Sequence, residues 1–359
     1  MAAKICYTTN LVEITRNLRR EKMMKMGKLI SALMIGALAF PAVAAESPQS
    51  AAEAAIATKI AGADARDMPL FLCKPHAAFV IRNALQNGTK VRIEPTKIFD
   101  NLYSISSEFV GVLVFQTSAG LILFDGGQSE AEARDFVEPG LVKLGLDPKS
   151  VKYVIGTHGH VDHFGGAEYW QRTYGAKVAL SKADWTIFTK PAADSKLPNK
   201  DFEIVDGQKL TLGGDTLTFT VTPGHTLGAV STILPAREGG KLYPISLLGM
   251  AALPPNLQPD PSASGLLAYD QSILRFKKIS ADAHAVGYYN THVFAADVEP
   301  RLAAVRARKP GEPNPFVVGG AYVGRYYDVV HHCTVAAESC SAEDNAWNIP
   351  IPPGTVIGE

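Results

Sequence analysis

The sequence has little charge and no long run of charge of one sign. Charged residues make up 19% of the 359 residues, and 35 basic residues balance 35 acidic ones. No basic stretch suited to nucleic acid and no acidic block suited to a solvated tail is present. Internal repeats and heptad runs are also missing, and no G-x-S-x-G motif supports a serine nucleophile. With 359 residues, 47% of them hydrophobic, the chain can bury a substantial core.

The apolar run near the N-terminus, Leu29–Phe40, is too short to span a bilayer because it has only 12 residues. A basic flank precedes it, and the small residues Ala-Val-Ala at 42–44 follow it. This pattern predicts a secretory signal peptide, and hence a periplasmic or secreted protein that leaves the membrane after cleavage. A retained membrane anchor is the alternative. The true start is expected at one of three methionines, Met23, Met24 or Met26.

Loss of this leader shifts the charge balance. Residues 1–45 hold seven basic and two acidic groups, so the rest has 28 basic against 33 acidic residues, a formal charge of −5. A mildly acidic chain is a poor polyanion binder, which favours a small-molecule partner over nucleic acid. The predicted organisation is a leader over 1–45, an N-terminal lead-in over 46–97, a folded domain over 98–340 and a C-terminal tail over 341–359.

Cysteine is scarce, with four in the chain, of which Cys6 lies in the leader. Export would permit disulfides among Cys73, Cys333 and Cys340. The last two are seven residues apart in a predicted helix, too distant to bridge if that helix is unbroken. Two alternatives stay open: Cys73 pairs with one of them, or it is an unpaired buried thiol. The spacing does not match a zinc finger.

From residue 110 onward, runs of strand length alternate with helical spacing. Strands are predicted over 110–115, 120–125, 151–158, 177–181 and 229–234. The continuous apolar run at 151–158 is typical of a strand buried on both faces. A β-hairpin with a Gly-Gly-Asp turn is predicted over 209–225. Helices are predicted over 129–145 with an interruption at Pro139, up to Gly175, and over 267–280, 298–307 and 321–340. The order predicts one layered α/β domain, with loops at 190–201 and 250–265 shaping a pocket.

The segment THGHVDHFGG places three histidines and an aspartate within six positions: His158, His160, Asp162 and His163. Residues two apart on an extended strand point to the same side, so His158 and His160 would face one cleft. The other two lie on the following turn. An isolated histidine at a strand end is usually structural, but three histidines and an aspartate within six positions indicate a metal site. Zinc accepts this mixture of imidazole and carboxylate.

Two further histidines end predicted strands. His225 lies in a Pro-Gly turn after the hairpin and is predicted to supply the third nitrogen to the first pair. His292 ends an apolar run and is preferred over His284, which lies earlier in the same run. The remaining histidines are predicted to be surface or packing residues: His76, His331 and His332.

Together these residues resemble the metallo-β-lactamase superfamily. The likeness is carried by T-H-x-H-x-D-H at 157–163, P-G-H-T at 223–226, a later histidine, and the segments NLYSI and GLILFDGG. It implies an αβ/βα four-layer sandwich with two zinc ions at the edge between the sheets. By motif position, His158, His160 and His225 would hold the first zinc, and Asp162, His163 and His292 the second. Asp125 would contact one of these ligands and hold it in orientation without binding the metal itself.

Two departures from the family pattern bear on specificity. Many hydrolases of the superfamily carry a bridging aspartate after the meander, where this sequence has Met250. Retention of His163 without that aspartate is similar to the third subclass of metallo-β-lactamases, which are exported dizinc enzymes. Those lactamases anchor the substrate carboxylate with serines near this segment. MAALPPN itself has none, and the nearest downstream are Ser262 and Ser264. The second departure concerns β-lactam specificity and leaves hydrolysis untouched.

The resemblance implies a metallo-hydrolase in which a zinc-bound hydroxide, oriented by Asp162, attacks a carbonyl carbon. The expected substrate is a β-lactam or a similar cyclic amide. The main alternative is a dizinc hydrolase of a lactone, ester or other small molecule. An iron-dependent oxidoreductase on the same fold is disfavoured by His163 and by the missing bridging carboxylate. A binding protein with an inactive site is disfavoured because the ligand set is complete.

Overall fold

The computed structural model describes residues 48–62, 70–73, 91–187, 196–250 and 265–344. The predicted signal peptide, most of the tail and parts of both predicted pocket loops lie outside these ranges, as do His76, Ser262 and Ser264. Among the described helices, none combines the length and the apolarity needed to cross a membrane.

The first sheet has seven strands that follow one another in chain order. They are β1 (Thr96–Phe99), β2 (Leu102–Ser106), β3 (Gly111–Thr117), β4 (Gly120–Phe124), β5 (Val151–Ile155), β6 (Lys177–Ser181) and β7 (Phe202–Ile204). Strands β1 to β4 pair antiparallel, and β4 to β7 pair parallel. Parallel neighbours need crossover connections, which accounts for the helices between β4, β5 and β6.

The second sheet has five strands in the order β12-β11-β10-β9-β8. They are β8 (Lys209–Leu212), β9 (Asp215–Val221), β10 (Val230–Glu238), β11 (Lys241–Leu247) and β12 (Gly287–Tyr289). The predicted hairpin is confirmed by the antiparallel pair β8–β9. Its turn contains Gly213 and Gly214 at φ 57° and 85°, the positive values that a two-residue hairpin turn requires.

Helices cover the outer faces of both sheets. They are α1 (Pro48–Ala61), α2 (Glu130–Glu132), α3 (Glu138–Lys143), α4 (Val161–Phe164), α5 (Ala167–Tyr174), α6 (Lys182–Ile187), α7 (Gly265–Asp282), α8 (Val298–Ala307) and α9 (Gly320–Asp344). One buried cluster joins the first sheet to α3 and α5 through Leu141 and Trp170. The other joins the two sheets to α7 and α9 through Phe219, Phe276 and Tyr327. This order of layers confirms the predicted αβ/βα four-layer sandwich.

Strand β3 illustrates why the first sheet lies inside the protein. Val112 and Val114 pack with the helical cluster, whereas Leu113 and Phe115 pack with the cluster between the sheets. All four side chains are buried. Because successive residues of a strand point to opposite faces, a run without polar alternation needs cover on both sides.

The helix predicted over 129–145 changes its hydrogen-bond pattern around Pro139. Helix α2, a π-helical segment Ala133–Val137 and α3 follow one another directly. Proline has no N–H, so the α-helical hydrogen bond to the Asp135 carbonyl cannot form. Arg92 Nη1 lies 3.5 Å from that carbonyl and donates to it. The predicted interruption is thus a local change of pitch rather than a break.

A disulfide joins Cys73, in the short 3-10 helix Leu70–Cys73, to Cys333 in α9. This pairing settles the alternative between a bonded and a free Cys73. Helix α9 continues unbroken past Cys333 to Asp344. On the same helix, His332 Nδ1 lies 2.7 Å from Glu53 of α1. The N-terminal lead-in is therefore attached to the last helix by a covalent bond and by side-chain contacts.

Replacement of both Cys73 and Cys333 by serine is expected to lower the free energy of unfolding. The bond links residues 260 positions apart, and loss of such a constraint typically costs about 2–5 kcal/mol. Thermal unfolding of the native chain and the double variant under oxidising conditions measures the difference. Native protein unfolded with a reductant is the matched control and should behave like the double variant. An unchanged unfolding midpoint in both would contradict a stabilising role.

Candidate metal centre

Loops that follow strands of both sheets meet at one edge of the sandwich. The histidine motif follows β5, the turn with His225 follows β9, and His292 follows β12. Backbone hydrogen bonds hold the loops together, from Val230 N to Thr157 O at 2.7 Å and from Gly111 N to Thr291 O at 2.9 Å. The parallel arrangement of β4, β5 and β6 places the carboxyl end of β5 at this edge.

The first group of nitrogens comes from His158, His160 and His225. One ring nitrogen of each lies within 4.8 Å of the others. His160 Nδ1 and His225 Nε2 are 3.1 Å apart. The three rings stand nearly perpendicular to one another, with interplanar angles of 84°, 88° and 86°. Imidazole nitrogens at this spacing could hold a metal ion.

The second group contains His163 and His292, with His158 again within reach. Its three nitrogens lie within 4.8 Å of one another, and all three residues are buried. His163 Nε2 and His292 Nε2 are 2.8 Å apart. Asp162 Oδ2 lies 3.9 Å from the first of these atoms and 3.7 Å from the second. The structure thus brings together all six of the predicted ligand residues.

Hydrogen bonding determines which nitrogen of His158 carries a proton. Its Nδ1 lies 3.1 Å from Gly249 O, and a carbonyl only accepts, so Nδ1 donates. Burial, reinforced by the neighbouring histidines, holds the pKa of His158 well below its ordinary value. The ring is therefore neutral, and its Nε2 presents a buried lone pair that has no hydrogen-bond partner among the described residues. An unpaired buried acceptor is costly, and a bound cation at this position would satisfy it.

The same reasoning applies to the second pair. His163 Nδ1 donates to Asp125 Oδ2 at 2.7 Å, and His292 Nδ1 lies 3.4 Å from Phe109 O. With protons on both Nδ1 atoms, two Nε2 lone pairs face each other at 2.8 Å. Such lone pairs repel one another unless a proton or a cation lies between them. The donor set of neutral imidazoles and one carboxylate fits zinc.

Asp125 supports this site from behind. It is buried, follows β4, and has a left-handed backbone with φ 70°. Its Oδ1 accepts from Thr157 N at 2.8 Å, and its Oδ2 accepts from Thr157 Oγ1 at 3.1 Å as well as from His163. A strained backbone persists only where its surroundings determine it. The carboxylate therefore links the β4 and β5 loops and orients the His163 ring.

The other histidines lie away from this centre or outside the described residues. His284 is exposed in the turn after α7, with φ 53°. His331 Nδ1 lies 2.5 Å from Asp270, and His332 pairs with Glu53, so both connect helices. Met250, where the resemblance to the family led us to expect a bridging aspartate in other hydrolases, is fully buried in the core.

Some contacts of the centre carry no signal in the sequence. The Phe109 ring packs edge-on against His292 at 4.8 Å between centroids, and Phe294 lies 5.2 Å from the same ring. Asp184 of α6 is buried and hydrogen bonds to two of the ligand loops. A single phenylalanine or aspartate beside a strand is too common to be distinguished without the tertiary structure.

Residues 108–238 match the sequence profile of the metallo-beta-lactamase superfamily. The chain is 31% identical over 159 residues to a hydroxyacylglutathione hydrolase of Acidiphilium cryptum, covering 44% of this chain and 59% of that protein. It is 28% identical over 130 residues to a hydroxyacylglutathione hydrolase of Cereibacter sphaeroides, covering 36% and 48%. The chain therefore spans about half of the length of these curated relatives.

Solved structures with a similar fold are metallo-β-lactamases. BJP-1, a subclass B3 enzyme of Bradyrhizobium japonicum, has a TM-score of 0.59 at 22% identity, covering 73% of this chain and 98% of its own. FEZ-1 of Legionella gormanii has a TM-score of 0.55 at 20% identity, covering 72% and 96%. These likenesses confirm the predicted fold over nearly the whole length of each neighbour. Residues 108–238 are therefore similar to the metallo-β-lactamase superfamily, within a domain that has the fold of the metallo-β-lactamases.

Proposed function

We propose that this protein is a zinc-dependent hydrolase that opens a β-lactam or a similar cyclic amide. The observation that carries the proposal is the buried Nε2 of His158. This lone pair lies between two histidine pairs and has no hydrogen-bond partner within the described part of the chain. The β-lactam class is supported by the fold, which extends over 98% of BJP-1. Met250 in place of a bridging carboxylate also favours this class, because the third lactamase subclass shares that feature.

Two zinc ions per chain are proposed. The ligands of the first are His158, His160 and His225, and those of the second are Asp162, His163 and His292. The second set is supported by Asp162 Oδ2, which lies within 4 Å of both Nε2 atoms of its histidines. When bound, zinc lowers the pKa of a coordinated water and polarises a carbonyl oxygen.

The chain's own residues would orient the attack and limit the access of bulk water. Asp162 is proposed to act catalytically by holding the attacking water and accepting its proton. Its side chain is 7% exposed, and the residue lines a small cavity together with Val110 and Gly111. The rings of Phe109 and Phe294 pack against the His292 ring, with centroids 4.8 and 5.2 Å away. Asp125 keeps the Nδ1 proton of His163 in place, so that its Nε2 stays available as a lone pair.

The alternative is a hydrolase of the same dizinc type that acts on an ester, thioester or lactone. Support comes from the curated relatives, which are named hydroxyacylglutathione hydrolases. The partial coverage of those relatives and the missing bridging carboxylate weigh against it. Iron-dependent oxidation is disfavoured by the predominance of imidazole nitrogens over carboxylates in the centre.

Metal analysis of the purified protein, followed by a hydrolysis screen, tests the proposal. Nitrocefin, a penicillin and a carbapenem would be assayed beside an acylated glutathione thioester and a simple lactone. The expected result is two zinc ions per chain and β-lactam turnover that is lost on chelation and restored by zinc. Two zinc ions with turnover of only the thioester or the lactone would support the alternative. Iron in place of zinc would contradict both.

His292→Ala is expected to reduce the bound zinc by about one equivalent, whereas His284→Ala leaves it unchanged. His292 Nε2 lies in the cluster, 2.8 Å from His163 Nε2, while His284 is exposed. Metal content after extensive dialysis measures the difference, and the two variants are matched because each removes one imidazole. A greater loss in His284→Ala would refute the ligand assignment.

We further propose that the protein is exported and acts on a small molecule. Support comes from the signal-peptide pattern within residues 25–45 and from the Cys73–Cys333 bond, since disulfides persist in oxidising compartments. N-terminal sequencing of the protein recovered from the periplasm or medium of expressing cells tests this, and protein found only inside the cytoplasm would contradict it. A mature chain that retains part of residues 1–22 would contradict it.

A further inference from the structure

Asp184 is a buried carboxylate that contacts two separate ligand loops. It lies in the first turn of α6, directly after β6, and is 0% exposed. Its Oδ2 accepts a hydrogen bond from Gly159 N at 2.7 Å and another from Thr226 Oγ1 at 2.7 Å. Gly159 belongs to the histidine motif, and Thr226 directly follows His225. One oxygen atom thus connects loops from both sheets.

Both loops approach the β6–α6 junction more closely than a side chain would permit. A Cβ added at Gly159 would lie 2.8 Å from the Asp184 carbonyl oxygen. A Cβ added at Gly228, in the turn after His225, would lie 1.8 Å from Ser181 Oγ and 2.7 Å from Asp184 Oδ1. These distances are shorter than a real Cβ contact allows, so glycine is required at both positions. The junction is therefore a common support for the two loops.

The carboxylate is stabilised in this position by its donors. Burial raises the pKa of Asp184, and the hydrogen bonds from Thr226 and Gly159 oppose that shift. A buried polar group without a hydrogen-bond partner costs free energy. Both donors depend on the same carboxylate oxygen, Asp184 Oδ2. Loss of the carboxylate would leave an amide and a hydroxyl unpaired at once.

The loops that Asp184 connects supply nitrogens to the same group. His160 Nδ1 and His225 Nε2, one from each loop, lie only 3.1 Å apart. Their separation depends on the separation of the loops, which belong to different sheets. A shift of one loop relative to the other would change the distance between these nitrogens directly.

We propose that Asp184 is a positioning residue that sets the spacing of His160 and His225 and thereby the affinity for the first metal ion. This inference rests on the proposed zinc site and adds a residue that does not belong to the ligand set. Outer partners of this kind typically change metal affinity by roughly 10- to 100-fold.

Zinc affinity of the full-length chain, measured by competition with a chromophoric chelator, tests the proposal without an activity assay. In Asp184→Asn the amide nitrogen would either face the two donors or lie buried without an acceptor in the place of Oδ1. Asp184→Asn and Thr226→Val are therefore both expected to weaken binding of one zinc equivalent by roughly 10-fold or more. Thr226→Ser retains the hydroxyl donor and should bind zinc like the native chain. Val330→Ala, which truncates a buried residue of α9, is the control for loss of stability and should also bind normally.

The outcomes separate this inference from the proposed function. Weaker zinc binding in Asp184→Asn and Thr226→Val, with rescue in Thr226→Ser, would support the positioning role. Two zinc ions bound with native affinity by both variants would overturn it and leave the proposed function intact. A native chain that binds no zinc would overturn both. If Asp184→Asn fails to fold, the Thr226→Val and Thr226→Ser pair decides alone.

Discussion

His158→Ala is expected to abolish hydrolytic activity and to weaken zinc binding more than any other single substitution. Its Nε2 is buried and has no hydrogen-bond partner in the ranges that the structure describes. Its ring lies between the other two histidine pairs, with centroids 3.9 Å from His163 and 4.6 Å from His225. Loss of a direct ligand should exceed the roughly 10- to 100-fold loss of affinity seen for outer partners. Zinc content and kcat/KM on the best substrate measure the effect.

The stability of the His158→Ala variant distinguishes the loss of metal from misfolding. Without the imidazole, Gly249 O loses its donor, a cost of about 1–3 kcal/mol for a buried group. His331→Ala is the matched control, because it removes an imidazole from α9, where His331 contacts Asp270. This control should keep full zinc content and activity. Native zinc content in His158→Ala would contradict the assignment of the first metal group.

Asp125→Asn is expected to weaken the second zinc equivalent by roughly 10- to 100-fold and to lower catalytic activity. All the hydrogen bonds of the Asp125 carboxylate are accepted ones, from Thr157 N, Thr157 Oγ1 and His163 Nδ1. In the asparagine variant, the amide nitrogen would therefore face a hydrogen-bond donor whichever carboxylate oxygen it replaces. If it faces His163, the favoured proton position moves to Nε2, where the lone pair is needed.

Asparagine is chosen so that the substitution does not alter the backbone conformation. Asp125 has φ 70°, and asparagine tolerates this left-handed conformation as aspartate does. Asp147→Asn is the control, since it changes the same functional group at an exposed helix cap that accepts from Lys149 N. Zinc titration by calorimetry, with thermal unfolding of the metal-free proteins, measures both effects. Equal zinc affinity in the Asp125 variant and the control would contradict the positioning of His163.

Much of the fold could be predicted from local patterns. Helix α8 spans Val298–Ala307, the range that helical spacing predicts, and α5 ends at a left-handed Gly175 as expected. The continuous apolar run of β5 correctly predicted a strand covered on both faces. Strands β7 and β11 were harder to predict from sequence. β7 has only three residues, and β11 contains Pro244, which is atypical of a strand interior.

The sequence alone determined the chemistry that is possible here. Three histidines and an aspartate within six residues, with histidines ending two later strands, identified the six residues that the structure places together. This was possible because the ligand spacing is local and because strand ends meet at sheet edges. The cysteine pairing stayed open, since Cys73 and Cys333 are 260 residues apart and no local pattern relates them.

Only the tertiary structure decided how those residues are held. The proton positions on His158 and His163 depend on Gly249 O and Asp125, and the spacing of the ligand loops involves Asp184. Each of these contacts joins positions at least 25 residues apart in the chain. Ligand identity follows from residue type, which can be read locally, whereas ligand geometry follows from packing between loops that only the folded chain brings into contact.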